Sequence, residues 1–447
     1  FFPSVSGGWR VSEEAFWKVN PDLFSNLKIR ASYGSLGNGN VSPYSFLELL
    51  SISTSGRVLN GLKNKYTSAP AVMPDGLTWE TATTTDVGLD FGMLNNRLQF
   101  NGDYYIRKTT DMYTVGETLP DVFGASSPKG NYVDMTTKGW EITLTWRDQF
   151  TLAEKPFNYE IRGTLSDYIS TIDRYNNQTG NLDDYYAGKR VGEIWGYVTE
   201  GLFKDQADID SHADQTLIQS SSKRITYPGD VKIKDLNGDH VIDYGNNTVD
   251  DHGDKTVIGN ALPRYAYSIN LSGDWNNFFL SAFFQGVGKQ DWYPSSECIF
   301  WGQYNRPYNN MPTWHQGNYW TEDNTDAYLP RYAGYNASLK STPQTRYLQN
   351  VAYIRLKNLQ FGYTLPQPIV SKAKLQNVRV YISAENLWCW SPLYKHTRDL
   401  DVTNIYGSDP DLTDADMSSG LNGNRGSGDG NSYPQMKSVS LGLSVTF

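Results

Sequence analysis

From Ser438 to Phe447 the chain alternates without a break. Val439, Leu441, Leu443, Val445 and Phe447 fall on one side, and Ser438, Ser440, Gly442, Ser444 and Thr446 on the other. Successive side chains of a β-strand face opposite sides, so this segment makes a strand with one apolar face and one small, polar face. A soluble sandwich accommodates such a strand. Finishing on it, with an aromatic last residue and no polar tail, is the expectation for a membrane barrel, whose closing strand pairs with the first and sets its terminal aromatic in the interfacial girdle.

Composition agrees with a barrel. The chain carries 31 Tyr and 13 Trp in 447 residues, yet its mean hydropathy is only -0.54. It has no apolar run of the roughly eighteen residues that a transmembrane helix needs. A barrel needs none, because each spanning strand of about ten residues shows lipid only every second side chain. A net charge of -9, spread through the loops, disfavours a nucleic-acid partner. Cys298 and Cys389 lie far apart with no metal-type spacing, which suggests a structural thiol or a chance disulfide rather than chemistry. Phe1 opens in mid-pattern without an initiating Met, as expected for a piece of something longer.

Period-two segments recur along the chain. They comprise Leu27 to Gly34, Thr84 to Leu94, Leu98 to Ile106, Trp140 to Trp146, Phe157 to Leu165, Tyr265 to Leu271, Phe278 to Phe284, Ile354 to Tyr363, Val378 to Ala384 and the closing strand. An offset in the alternation predicts a bulge near Lys357-Asn358. Gly273-Asp274-Trp275-Asn276 reads as a turn, and so does Asn95-Asn96. The connections alternate in length. Ser35 to Thr83, Thr109 to Thr137, Ser166 to Pro263, Val287 to Asn350 and Leu387 to Met436 are long, and those between them are short. Bacterial outer-membrane barrels show this rhythm, with short periplasmic turns and long extracellular loops. Phe2 to Trp9 adds a further strand, so the expected fold is an all-β transmembrane antiparallel β-barrel with about eleven strands in this chain. An odd count predicts that part of the barrel lies outside it.

Several of these segments carry a more specific likeness. Asn26 to Gly34, Leu77-Thr78-Trp79-Glu80 followed by Thr85 to Asp90, Tyr353 to Pro366, Val380 to Leu387 and Tyr433 to Lys437 together resemble the SusC/RagA family of TonB-dependent outer-membrane transporters along residues 1–447. The resemblance implies the C-terminal half of a 22-stranded barrel, with the N-terminal plug and the first barrel half absent from this chain. It further implies uptake of glycan oligosaccharides or peptides across the outer membrane of a Bacteroidota-like bacterium. The implied partners are a SusD-like surface lipoprotein lid, TonB–ExbB–ExbD acting through the missing N-terminal region, and a second SusCD pair in a higher-order dimer. Residues 169–263 and 288–350 are then extracellular loops. The alternative from another class is a non-transporting outer-membrane or secreted glycan-binding protein or adhesin.

Two regions are candidate sites. Asp235-Leu236-Asn237-Gly238-Asp239-His240-Val241-Ile242-Asp243 has the spacing of the first part of an EF-hand-type loop. Asp235, Asn237, Asp239, the Val241 carbonyl and Asp243 are its candidate ligands for a structural calcium. His240 stands where that loop requires Gly, Asn246 stands where it has Glu, and Asp250 or Asp251 are possible substitutes. The same residues also make an ordinary turn held by side-chain hydrogen bonds to its own backbone. The second region, Asp291 to Tyr335, is crowded with aromatics that include Trp301, Tyr304, Tyr308, Trp314, Trp320 and Tyr335, and Trp195 and Tyr197 belong with them. Such rings stack on sugars or peptide side chains, face a protein partner, or form the loop's own core. No catalytic signature appears in strand-to-helix context, and the glycine-rich Gly420 to Gly430 stretch sits in a loop, so no enzymatic activity is expected.

Overall fold

The computed structural model describes residues 1–39, 50–68, 76–116, 127–219, 225–294, 298–304, 310–332, 342–403 and 435–447, with the single positions 47, 72, 122 and 405. One antiparallel sheet of eleven strands organises them. The strands are β1 (Ser4–Arg10), β2 (Phe24–Asn38), β3 (Glu80–Met93), β4 (Leu98–Val115), β5 (Lys129–Leu152), β6 (Lys155–Arg174), β7 (Arg264–Trp275), β8 (Phe278–Lys289), β9 (Tyr353–Thr364), β10 (Asn377–Trp390) and β11 (Ser438–Thr446). Each pairs with its neighbours in chain order, and β1 and β11 pair on one side only among the described residues.

The register carries the alternation of each strand across the sheet. Ile161, Leu271, Ala282, Leu359, Ala384 and Val439 form one continuous row. One position along each strand runs the row Arg162, Asn270, Phe283, Asn358, Glu385 and Ser438. One sheet face is therefore apolar and the other mainly polar, the arrangement a barrel wall needs to face lipid on the outside. On the polar face the Arg30 guanidinium reaches Asp90 and Asp103 at 2.8 Å. The apolar face is uncovered, and Leu441 keeps 79% of its surface exposed.

Turn chemistry explains the short-turn end. Ala153-Glu154 and Asn276-Asn277 take left-handed φ values at both central positions, the type I′ geometry that matches the twist of the flanking strands. β7 thus runs on to Trp275 and turns at Asn276-Asn277, later than the expected Gly273 to Asn276 turn. The bulge predicted near Lys357-Asn358 is present, as the pairing of β9 with both neighbours shifts between Leu356 and Asn358.

At the long-loop end the strands outrun the expectation. β5 has 24 residues and β6 has 20, against the roughly ten that cross a bilayer. The supposed loop Thr109 to Thr137 shrinks to residues 116–128, and the long loop expected from 169 begins after Arg174. These extensions lack strict apolar alternation because polar contacts hold them. Arg174 binds Asp134 at 2.6 Å and Asp111 at 2.9 Å, and Thr137 Oγ1 meets Ser170 Oγ at 2.8 Å.

Candidate functional site

The long connections carry the protein's apolar core. After β6, strand Glu193–Tyr197 pairs with Lys255–Asn260, and Thr199–Leu202 pairs with Val231–Ile233. After β8, Asp291–Trp292 pairs with Gln349–Asn350. The two connections are joined at Tyr197, whose N–H donates to the Pro343 carbonyl at 2.9 Å and whose carbonyl accepts from Thr345 N–H at 3.0 Å. Tyr197, Ile233 and Ile242 from the first connection, Trp292, Trp301 and Tyr347 from the second, and Leu393, Leu400 and Val402 from the third share one buried cluster. This dome is held from within, as a soluble domain is.

The candidate aromatics divide. Tyr197, Trp301 and Tyr304 are buried in the cluster, the last two with no exposed surface, so in this arrangement their rings offer nothing to a ligand. The Trp301 ring meets Tyr347 edge-on at 5.2 Å. Trp195, Trp314 and Trp320 are partly exposed. Trp195 Nε1 donates to the Tyr186 hydroxyl at 3.2 Å, and Trp314 lies 5.6 Å from the His396 ring. Trp320 lies against Gly229, where an added Cβ would clash with the indole at 2.5 Å and φ is +84°. Tyr308, Tyr335 and the Gly420 to Gly430 stretch lie outside the described residues.

His315, which stands in no sequence motif, is buried within the dome. It is fully buried, with Nε2 3.0 Å from the Phe300 carbonyl and Nδ1 2.6 Å from the Tyr332 hydroxyl. A carbonyl only accepts, so Nε2 carries the proton and Nδ1 accepts from Tyr332. Burial pushes the imidazole down to about 4, against the opposing pull of the Phe300 carbonyl, and keeps it neutral.

The Asp235 to Asp243 segment forms a tight self-bonded turn. Asp235 Oδ1 and Oδ2 accept from Gly238 N–H at 2.6 Å and His240 N–H at 2.9 Å. Asn237 Oδ1 accepts from Asp239 N–H at 3.0 Å, and Asp239 Oδ1 from Val241 N–H at 2.8 Å. Desolvation raises the Asp235 pKa, but the Gly238 and His240 N–H groups outweigh it and hold the carboxyl below its usual range. His240 adopts φ +66°, taking up the backbone conformation for which Gly is preferred at that position. The residue missed by sequence spacing is Asp254. Fully buried, it accepts from Leu236 N–H at 2.7 Å and Asp243 N–H at 3.0 Å and so clamps both ends of the turn. Asp251 instead holds Asn246. Among the described residues no three His, Cys, Asp or Glu side chains are gathered closely enough to hold a metal ion.

An antiparallel wall with one apolar face, tight turns at one end and a packed dome at the other is the architecture of a β-barrel wall. No family model matches the chain. TonB-dependent receptor P26 of Formosa agariphila is 28% identical over 469 residues, covering all of this chain and 42% of that protein. TonB-dependent receptor SusC of Bacteroides thetaiotaomicron is 23% identical over 462 residues, covering all of this chain and 40% of SusC. The RagAB peptide importer in its open-open state shares the fold at a TM-score of 0.68 and 19% identity, covering all of this chain and 42% of that one. Along its whole length the sequence is similar to SusC and other TonB-dependent receptors. It spans about two fifths of the length of the curated relatives it matches.

Proposed function

We propose that the chain is the C-terminal part of a 22-stranded outer-membrane importer of SusC type. In this reading it takes up glycan oligosaccharides or peptides under a SusD-like lipoprotein lid, is energised by TonB–ExbB–ExbD, and works in a dimer of such pairs. The carrying observation is the eleven-stranded sheet that, among the described residues, pairs on one side only at β1 and β11 while exposing a continuous apolar face. Unpaired strand edges are untenable in lipid, so β1 and β11 need further strands. The apolar face is then the lipid side, the polar face the lumen, and the dome extracellular. The partly exposed Trp195, Trp314 and Trp320 are the aromatics left to meet cargo or lid.

Purification from the native outer membrane tests this. The expected result is a detergent-dependent complex containing the remaining barrel strands and a co-eluting lipoprotein, together with loss of nutrient uptake on deletion. A lone water-soluble chain, or unaltered uptake, overturns the reading. A structural calcium at Asp235 to Asp243 is a separate proposal. The ligand spacing supports it, and binding would require the candidate ligands to draw together, since no three such side chains are gathered among the described residues.

A further inference from the structure

Where the polar face of the sheet meets the dome, a pocket of about 250 Å³ opens between β9, β10 and the segments on either side of the last long loop. Arg355 forms its inner wall and is only 4% exposed. Its Nη1 donates to Gln435 Oε1 and its Nη2 to Asp401 Oδ1, both at 2.6 Å. Its Nε is buried without an acceptor. Asp401 is fully committed, since it also accepts from Thr403 N–H, Thr403 Oγ1 and Gln435 N–H.

At the mouth stand Arg398 and Lys437, both exposed. Arg398 lies 5.4 Å from the Tyr394 ring centroid, and neither cation has a carboxylate within 4.0 Å among the described residues. Among the described residues three cations and one carboxylate line the cavity, an excess of two positive charges in a chain whose net charge is -9. A low-dielectric wall focuses that field. Guanidinium and ammonium groups converging on a small opening are complementary to a carboxylate.

We propose that this pocket is a carboxylate-binding subsite for imported cargo, a proposal that rests on the importer reading. Its volume is below the usual range for a drug-sized ligand, so it takes an end group rather than a whole oligomer. Two sources supply that chemistry: the terminal carboxylate of a peptide and the carboxylate of a uronic acid.

The test uses the protein purified from its native membrane in detergent, with binding read by calorimetry. The probes are triglycine against triglycine amide, and galacturonic acid against galactose. Tighter binding of at least one acid than its neutral analogue is expected. Discrimination confined to triglycine assigns the peptide terminus, confined to galacturonic acid the uronate, and shared by both a simple carboxylate site. The double variant Arg398→Gln with Lys437→Gln should weaken acid binding by about tenfold or more through loss of charge-assisted contacts, leaving neutral binding unchanged. Arg398→Lys should retain part of the preference. Equal binding of acid and neutral probes, or a preference that survives the double variant, overturns the subsite. Uptake measured separately in cells tests the importer reading, which stands if uptake persists while the subsite fails.

Discussion

In the sheet, Val439 and Leu441 leave 69% and 79% of their surfaces uncovered, whereas in the dome Trp292 and Trp301 leave none. The two regions solve the same problem, hiding apolar side chains from water, with different partners. The sheet distributes its apolar residues over one face and leaves them for lipid, so strand pairing and an alternating pattern suffice. The dome stands in water and must supply its own cover, which it does with apolar side chains from three connections. Its interior is specified by contacts between residues far apart in sequence.

The sharpest way to break this contrast is to open the dome. Trp301→Ala removes a fully buried ring that packs on Tyr347 and Phe300. A large-to-small change in a packed core costs about 3–5 kcal/mol. The expected outcome is rapid proteolysis within 290–352 while the barrel keeps its resistance to unfolding in detergent. Equal loss in both regions would mean that dome and wall fold as one unit. The converse test is made on the wall. Leu271 sits mid-strand on the apolar face, and Leu271→Arg should destabilise insertion by about 2–4 kcal/mol, while Ser272→Arg, on the polar face next door, should change little. Insertion into lipid vesicles measured against urea reads both, and similar losses would refute the assignment of faces.

What was legible in the sequence follows the same division. Strand order, the polar and apolar faces and the bulge at Leu356 to Asn358 could be read because a strand with lipid on one side imprints period two on its residues. The upper halves of β5 and β6 were read as loop, because segments such as Asn131 to Thr137 are held by cross-strand polar contacts that leave no alternation. In the dome the candidate residues could be named but not placed. Nothing local to Trp301 distinguishes it from Trp314, yet one is fully buried and the other partly exposed. Asp254 lies outside the twelve-residue spacing of the turn it clamps, and only the fold returns the chain to it.

Acid should affect the dome more than the wall. His315 is held at about 4 by burial, against roughly 6.5 in the unfolded chain. The folded state binds fewer protons between these values, so the stability conferred by neutral His315 is complete above about pH 6.5 and is lost as pH falls toward 4. His396, lowered to about 4 by partial burial and by Lys395, acts in the same sense. His315 alone accounts for a loss of about 3 kcal/mol across this window, and His396, which is partly open to solvent, adds a smaller share. Melting of the dome followed by tryptophan fluorescence should drop across this window. His315→Gln should flatten the pH profile, and an unchanged profile would remove His315 from the account.

The smallest effect distinguishes the two readings of the Asp235 turn. Asp254→Asn turns one of two buried acceptors into a donor facing a backbone N–H, and loosening one end of the turn should cost about 1–2 kcal/mol without any metal. Asp239→Asn leaves that clamp intact and keeps an oxygen for Val241 N–H. It therefore changes stability little unless calcium is bound. If calcium raises the melting temperature of the native protein, EDTA reverses the rise and Asp239→Asn abolishes it, the turn is a metal site. If calcium and EDTA shift nothing while Asp254→Asn still destabilises, the turn is held by its own hydrogen bonds and by Asp254, and the dome is self-sufficient down to its acidic corner.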